Sequence, residues 1–467
     1  MRDNTERSHF VVLVILSMVI LYTDAAAKEL HGTAVFYASL VRELIDASDP
    51  MLIYSDDRAY LLKPPLLVWL STLSCKVFGL TNFGVTFFSR LAGVGTVLLT
   101  YALFRRWWSS PVAWLSAFAM LTNSTFVQFT ATLRMDSLLL FGILLSLTGW
   151  AYHRASWGAA AMFGGVTIAV LAKGPLGFAS VPLILCHALL LGKRPVAGNG
   201  WWWALLLLPV VTWYAALVGL HGIRPFSELG ADALRATASP QMGAWESIYR
   251  EYLVKPASRY WPWLPFTIVG GVMVVRGVVD DRVPRDTRMH YLWVLLWLTV
   301  VIATAVWKPD RDIRYLHPAL PVLGLFSGLA LATLTKHRLP TWIPVGALII
   351  VAIAMMTRGL GFWGTLDTRD TLAKIRTEIV APDQTIAIGG YPIRVDQPRR
   401  QNTHRDWIHF YMGFVPRVLS WDQTRTQSPD FSSGVFMTRS RGYKDRLAEF
   451  NLEAKYLTKE MIFAVPR

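Results

Sequence analysis

The sequence predicts a polytopic all-α membrane protein, and three observations support this fold class. Of 467 residues, 53% are hydrophobic and only 16% are charged, whereas soluble domains carry about 25% charged residues. Apolar runs near the length of about 20 residues that a spanning helix needs recur along the chain. Tryptophans cluster beside the ends of these runs, where their rings favour the headgroup layer of a bilayer. Examples are Trp107-Trp108, Trp201 to Trp203 and Trp261-Pro262-Trp263.

Eleven of these runs are candidate transmembrane helices. The first follows Arg2 and Arg7 like a signal peptide, with Ala25 to Ala27 as a cleavage site, but its length of about 19 residues favours a membrane anchor. A further apolar stretch at 65–80 begins at two prolines, Pro64-Pro65. The eleven runs lie near 9–27, 88–104, 110–128, 137–152, 157–172, 175–192, 201–220, 264–279, 289–307, 316–335 and 341–356.

Positive charges predict the orientation of the chain. With the amino terminus inside, every inside connection is basic, which agrees with the positive-inside rule. Counting 65–80 as a span would place Arg105-Arg106 outside, so we interpret that stretch as an interfacial or re-entrant helix. The inside connections carry Arg105-Arg106, Arg154, Lys193-Arg194, the run from Arg276 to Arg288, and Lys336 with Arg338.

Two domains are expected. Residues 1–357 form the transmembrane domain, with outer loops at 28–87 and 221–262. The tail, 358–467, is polar and alternates β-rich runs such as Thr385 to Ile388 with helix-like stretches. This pattern predicts a small soluble α/β domain, which the topology places on the periplasmic side of a bacterial cytoplasmic (inner) membrane.

Several function classes are disfavoured. The net charge of +15 could suggest nucleic acid, but the basic residues lie in short connections rather than on one face. Cys75 and Cys186 lie in apolar surroundings without metal-like spacing and are interpreted as small core residues. His31 and His317 have no third ligand at helix or hairpin spacing, so no metal is predicted. No nucleotide-binding motif occurs and no cofactor is expected.

Polar residues converge on the predicted outer face. Charges at the ends of spans are costly unless they are paired or line a water-filled cavity, so these residues are candidates for a functional site. They are Glu29, His31, Asp56, Asp57, Lys63, Arg134, Asp136, Lys173 and the run from Lys308 to Arg314.

Five segments resemble, in order, those of the bacterial aminoarabinose-transferase-like and protein O-mannosyltransferase-like enzymes of the GT-C superfamily. The resemblance implies a GT-C fold with about 11 to 13 transmembrane helices. It also implies inverting transfer of a sugar from a polyprenyl-phosphate donor to a hydroxyl of an envelope acceptor, which could be lipid A, another glycan or a protein. The segments are YLLKPPLLVWL at 60–70, TLRMDSLLLF at 132–141, LAKGPLGF at 171–178, RYWPWLPF at 259–266 and RYLHPALPVL at 314–323.

The resemblance also implies roles for individual residues. Lys63, Lys173 and Arg314 match the basic positions of the family, and with Arg134 they are predicted to bind the donor phosphate. Tyr60, His31, Tyr315 and His317 are predicted to contact substrate.

The chain departs from the family at the expected catalytic base. Family members usually carry acidic residues eight or nine positions before the Arg-Glu that is here Arg42-Glu43, but this chain has Thr33 and Ala34 there. The predicted base is Glu29, with Asp136 as the second acidic group. Asp24 is the fallback for Glu29, and Asp56 or Asp57 could also act as the base.

Two other functions stay open at this stage. A transporter or flippase of lipid-linked sugars would also need many spans and intramembrane charges. The loss of the usual acidic residues at Thr33-Ala34 is equally consistent with a non-catalytic homologue.

Overall fold

A computed structural model describes most of the amino-terminal three quarters of the chain and short pieces of the tail. The described residues are 2–23, 25, 30, 32–47, 49, 51–55, 58–60, 63–194, 198–222, 244–307, 311–337, 346, 375, 387–389, 409–411, 417–418, 435–438, 452–457 and 461–466. The chain forms two compact units. One contains Met1–Thr23, Leu61–Leu67 and Phe88–Phe362, and the other contains Asp24–Tyr60, Val68–Phe87 and Trp363–Arg467.

Helices form the described part of the first unit. They are α1 (Arg2–Tyr22), most of α4 (Asn82–Arg105), α5 (Ser110–Leu121), α6 (Ser124–Thr130), α7 (Met135–Ala151), α8 (Gly158–Lys173), α9 (Ser180–Leu191), α10 (Leu208–His221), α11 (Ala244–Tyr249), α12 (Lys255–Arg259), α13 (Leu264–Val279), α14 (Arg285–Trp307) and α15 (Leu320–His337). Short 3-10 helices at Gly174–Ala179 and Ile313–Ala319 precede α9 and α15. Here α2 (Thr33–Asp46) and α3 (Leu66–Phe78) complete the numbering.

The predicted spans coincide with helices but not all with membrane-crossing ones. Among the described residues, five helices have the length and hydropathy to cross a membrane, and up to seven do if two sharply bent helix pairs each count once. The predicted run at 110–128 is two helices, because Asn123 interrupts it and its side chain accepts hydrogen bonds from the amides of Thr125 and Phe126. The run at 341–356 lies almost entirely outside the described residues.

The interface of α7 and α8 is built from small residues. A methyl group on Gly142 would lie 2.7 Å from the carbonyl oxygen of Gly165, and one on Gly149 would lie 2.5 Å from that of Gly158. Lipid gives no hydrophobic drive to helix association, so close van der Waals packing between small residues supplies it instead. The two segments that end at Lys173 and begin at Met135 are thereby held together.

Adjacent glycines in α8 give a matched test of this interface. A methyl group on Gly165 would lie 2.4 Å from the backbone nitrogen of Ser146, whereas one on Gly164 would meet nothing closer than Leu206 at 3.7 Å. We expect Gly165→Ala to lower the free energy of unfolding by about 1–3 kcal/mol and Gly164→Ala to change it by less than about 1 kcal/mol. Thermal unfolding in detergent measures both. Equal effects of the two substitutions would contradict this interface.

The second unit combines helices with β-structure. Helix α3 has 13 residues, too few to cross a hydrocarbon core that needs about 20. Its Ser71 and Ser74 hydroxyls donate to the carbonyl oxygens of Val85 and Gly84 at 2.9 and 2.6 Å, which tie α3 to the start of α4.

The strands of the tail form one five-stranded sheet. Its order is β4-β3-β5-β7-β6, with β3 parallel to β4 and β5, and β7 antiparallel to β5 and β6. A small antiparallel pair, β1 (Tyr54–Ser55) and β2 (Arg58–Ala59), lies in the first loop. The strands of the sheet are β3 (Ala387–Gly389), β4 (Arg417–Val418), β5 (Val435–Thr438), β6 (Leu452–Leu457) and β7 (Met461–Pro466).

Residues of the tail also bind the first loop within this unit. Arg42 of α2 donates two hydrogen bonds, at 3.0 and 2.8 Å, to the carbonyl oxygen of Phe410. His409 Nδ1 lies 3.7 Å from a carboxylate oxygen of Glu43, and the Tyr411 hydroxyl donates to Asn82 at 3.0 Å. The segment 409–411 therefore belongs to the same packed unit as α2.

The two cysteines have different surroundings. Cys75 is buried in α3, as predicted, and burial raises the pKa of its thiol to about 12. The prediction that Cys186 is a core residue is wrong, because Cys186 is exposed. It lies on α9 between Leu185 and Leu189, which are also exposed, so this side of the helix has the composition of a lipid-facing surface.

Candidate active site

A break between two helices positions the central charges of the candidate site. Helix α6 ends at Thr130, α7 begins at Met135, and the two axes differ by 110°. Arg134 has an extended backbone at the N-cap of α7, and Asp136 lies in the first turn. A helix amino terminus favours a negative side chain, so the local fold stabilises Asp136 in its charged form.

Asp136 forms a buried ion-pair cluster with two cations. Its Oδ1 accepts a hydrogen bond from Lys173, the last residue of α8, and its Oδ2 lies 3.8 Å from Arg134 Nε. The side chain of Asp136 is only 10% exposed. A buried carboxylate needs such partners because its desolvation is costly. The structure therefore brings together three predicted site residues that lie 39 positions apart in sequence.

A second charged segment begins at Asp312. The Asp312 side chain accepts from the backbone amide of Arg314 at 2.9 Å and caps the 3-10 helix Ile313–Ala319. Arg314 donates to the Tyr315 hydroxyl at 3.2 Å and lies near enough to Asp136 to interact with it electrostatically. Lys173 Nζ lies 6.0 Å from the centre of the Tyr315 ring. Cations from three segments thus surround one buried carboxylate.

His317 lies deeper in the same region. Its residue is 1% exposed, and its ring lies between Phe126 and Phe129, whose ring centres are 5.9 and 5.7 Å away. Neither ring nitrogen has a hydrogen-bond partner among the residues that the structure describes. Asp136 and Lys173 are close enough to act on His317 electrostatically.

Lys63 belongs to the same unit as this cluster. It is half-buried, and the next residue, Pro64, is buried beside Gly174. A methyl group on Gly174 would lie 3.8 Å from Pro64 Cγ, and Gly174 has a positive φ of 70° that favours glycine. The segment that carries Lys63 therefore contacts the residue that follows Lys173.

Other predicted site residues are not part of this description. Tyr60 belongs to the second unit, where its ring lies 5.4 Å from that of Phe36. Within the described ranges, no group of three or more metal-ligating side chains occurs. Five predicted residues lie outside the described residues: Asp24, Glu29, His31, Asp56 and Asp57.

Arg90 is a buried cation that the sequence analysis missed. It is 1% exposed within α4 and donates hydrogen bonds to the carbonyl oxygens of Leu21, near the end of α1, and of Ala131, directly after α6, the latter at 2.7 Å. Cations favour the carboxyl ends of helices, where carbonyl groups lack partners. Arg90 therefore anchors the break that carries Arg134 and Asp136. An arginine inside an apolar run was the signal that could have found it.

Comparison with solved structures decides the fold. ArnT from Cupriavidus metallidurans bound to undecaprenyl phosphate superposes with a TM-score of 0.69 over 97% of each chain, at 15% identity. The archaeal oligosaccharyltransferase AglB from Archaeoglobus fulgidus, in complex with an inhibitory peptide and a dolichol-phosphate, superposes with a TM-score of 0.58 over 93% of this chain and 69% of that one, at 13% identity. The chain has the GT-C fold. The resemblance predicted from the sequence is confirmed.

Sequence comparisons agree with this fold. Residues 62–216 match the family described as dolichyl-phosphate-mannose-protein mannosyltransferase, which is less than half of the chain. The undecaprenyl phosphate-alpha-4-amino-4-deoxy-L-arabinose arabinosyl transferase of Pectobacterium carotovorum is 22% identical over 364 residues, 70% of this chain and 60% of that protein. The curated relatives are matched over only 13% to 60% of their own lengths.

Proposed function

We propose that this protein transfers a sugar from a polyprenyl-phosphate carrier to a hydroxyl group of an envelope acceptor, with inversion at the sugar carbon. The cation cluster carries the proposal: Arg134, Lys173 and Arg314 surround the single carboxylate of Asp136, so cations exceed anions there. Such an excess suits a bound phosphate. The likeness of the fold to ArnT, solved with undecaprenyl phosphate, supports the same ligand class.

The chemistry needs a base and a phosphate clamp. In the transfer, a carboxylate takes the proton of the acceptor hydroxyl while its oxygen forms a bond to the sugar carbon. The bond from that carbon to the phosphate oxygen breaks, and polyprenyl phosphate leaves with the electron pair. We assign Lys63, Lys173 and Arg314 to stabilise the leaving phosphate, with Arg134 beside them.

The base is assigned to Glu29, with Asp57 and then Asp56 or Asp24 as alternatives. Both oxygens of Asp136 already face cations, so its carboxylate is a poorer proton acceptor than an unpaired one. Its proposed task as the second acidic group is to orient Lys173 and Arg134. Tyr60, His31 and Tyr315 are assigned to substrate contacts.

The proposed topology places this chemistry on the periplasmic side of a bacterial cytoplasmic membrane. The amino terminus lies inside and the tail from 358 lies outside, as the basic inside connections favour. The acceptor is lipid A, another glycan or a protein of the envelope.

Binding and transfer measured together test the phosphate clamp. We expect Lys63→Ala, Lys173→Ala and Arg314→Ala each to weaken binding of undecaprenyl phosphate by about tenfold, because one charge-assisted hydrogen bond contributes about 1.5–3 kcal/mol. Lys193→Ala is the control, since Lys193 is an exposed cation between α9 and α10. Binding to the purified protein in nanodiscs provides the measurement.

Two outcomes would contradict this assignment. If all three variants bind and transfer like the wild type, the clamp is wrong. If the wild type consumes no lipid-linked sugar but moves such lipids between leaflets of a vesicle, the protein is a transporter and not a transferase.

A further inference from the structure

His317 is a buried polar side chain without an internal role in the described structure. Its residue is 1% exposed, and both ring nitrogens lack partners among the described residues. Buried polar groups in proteins almost always have a hydrogen-bond partner, so such an exception calls for an explanation. A bound ligand that completes the hydrogen bonds is one.

The surroundings of His317 favour a ligand over a structural role. The ring lies between Phe126 and Phe129, which fix its position but offer no hydrogen-bond acceptor in their side chains. It is also near Asp136, Lys173 and Arg134, the charges of the candidate active site. An unpartnered imidazole is therefore held rigidly beside the proposed site of the donor.

The chemistry of imidazole distinguishes the parts of that donor. With one proton, the ring presents one N–H donor and one nitrogen acceptor. A sugar hydroxyl also both donates and accepts, whereas the oxygens of an ionised phosphate only accept. Lys173, Arg134 and Arg314 can only donate, so they match the phosphate and leave the hydroxyls to a different kind of side chain.

We propose that His317 binds a hydroxyl group of the sugar carried by the lipid, and so recognises the sugar rather than the phosphate. This inference rests on the proposed function. It makes His317 a specificity-determining residue, because a site built to hydrogen-bond a hydroxyl rejects analogues that lack it.

Thermal stabilisation by two kinds of lipid tests the inference. The probes are undecaprenyl phosphate alone and undecaprenyl phosphate carrying aminoarabinose, mannose or galactose, the sugar being the one that the wild type consumes. A ligand that binds only the folded protein raises the melting temperature. We expect the sugar lipid to stabilise the wild type more than undecaprenyl phosphate does at the same concentration.

Two variants separate the sugar from the phosphate. His317→Leu should keep the stabilisation by undecaprenyl phosphate and lose the extra stabilisation by the sugar lipid, with KM for the sugar lipid raised about tenfold or more. His317→Gln keeps a donor and an acceptor and should retain part of the sugar effect. Without lipid, His317→Leu should melt no lower than the wild type, because the substitution removes buried nitrogens that lack partners.

The opposite results are distinct. If His317→Leu or His317→Gln retains the full extra stabilisation by the sugar lipid, His317 does not bind the sugar. If His317→Leu melts lower without lipid and His317→Gln retains no part of the sugar effect, the role of His317 is structural. If the wild type consumes none of the three sugar lipids and is stabilised by none, the proposed function itself has failed.

Discussion

Asp136→Asn is expected to reduce sugar transfer by about 10²-fold or more. The substitution keeps the size of the side chain but removes the charge that Lys173 and Arg134 face. Breaking a buried ion pair leaves uncompensated charge and costs about 3–5 kcal/mol. If that cost appears as lost orientation of the cations in the transition state, the rate falls by the stated factor. Turnover at saturating donor measures it.

The Asp281–Arg288 pair provides a matched control for this substitution. Arg288 lies 2.6 Å from Asp281, whose side chain is 94% exposed, and exposed pairs contribute only about 0–1 kcal/mol. Asp281→Asn should therefore leave turnover unchanged. An Asp136→Asn variant that binds undecaprenyl phosphate normally and loses only turnover would identify Asp136 as the base. Normal binding and normal turnover together would contradict any role for Asp136.

Glu29→Gln is expected to lower turnover by about 10²-fold or more while donor binding stays normal. Glutamine keeps the size and hydrogen bonding of glutamate but cannot take a proton from the acceptor hydroxyl. Glu29 is the acidic residue nearest to the family position that Thr33 and Ala34 occupy here. Single-turnover transfer from a radiolabelled donor, with binding measured in parallel, tests the assignment.

Other acidic residues define the alternative outcome. If Glu29→Gln turns over normally and Asp56→Asn or Asp57→Asn abolishes turnover with binding intact, the base is one of those two aspartates. Asp24→Asn belongs in the same series, because Asp24 is the fallback that the sequence offers. A family of four normal variants would favour the non-catalytic homologue.

Helix positions were predictable from the sequence because apolar runs and spans have the same physical cause. The run at 264–279 matches α13 residue for residue, and the run at 157–172 differs from α8 by one residue at each end. The bend between α6 and α7 was not predictable by this route. Asn123 ends α5 through its own cap inside a run that is apolar on average, and a window of about 20 residues averages such a residue away.

Part of the candidate site was also predictable. Charge alone placed Asp136, Lys173 and Arg314 on one face, and the structure brings all three within electrostatic range. The burial of His317 between two phenylalanines was not visible, because Phe126, Phe129 and His317 come from segments far apart in the chain. Arg90 was missed since its partners are backbone carbonyl groups, which no sequence motif records.

The carbonyl partners of Arg90 have a consequence for sequence divergence. Every residue has a carbonyl group, so positions 21 and 131 can change identity without removing either hydrogen bond of Arg90. The whole constraint falls on one side chain, and lysine cannot replace it, because a single ammonium group lacks the planar fork that reaches two acceptors at once. Homologues should therefore vary freely at positions 21 and 131, and pairwise covariation should fail to reveal that Arg90 joins them.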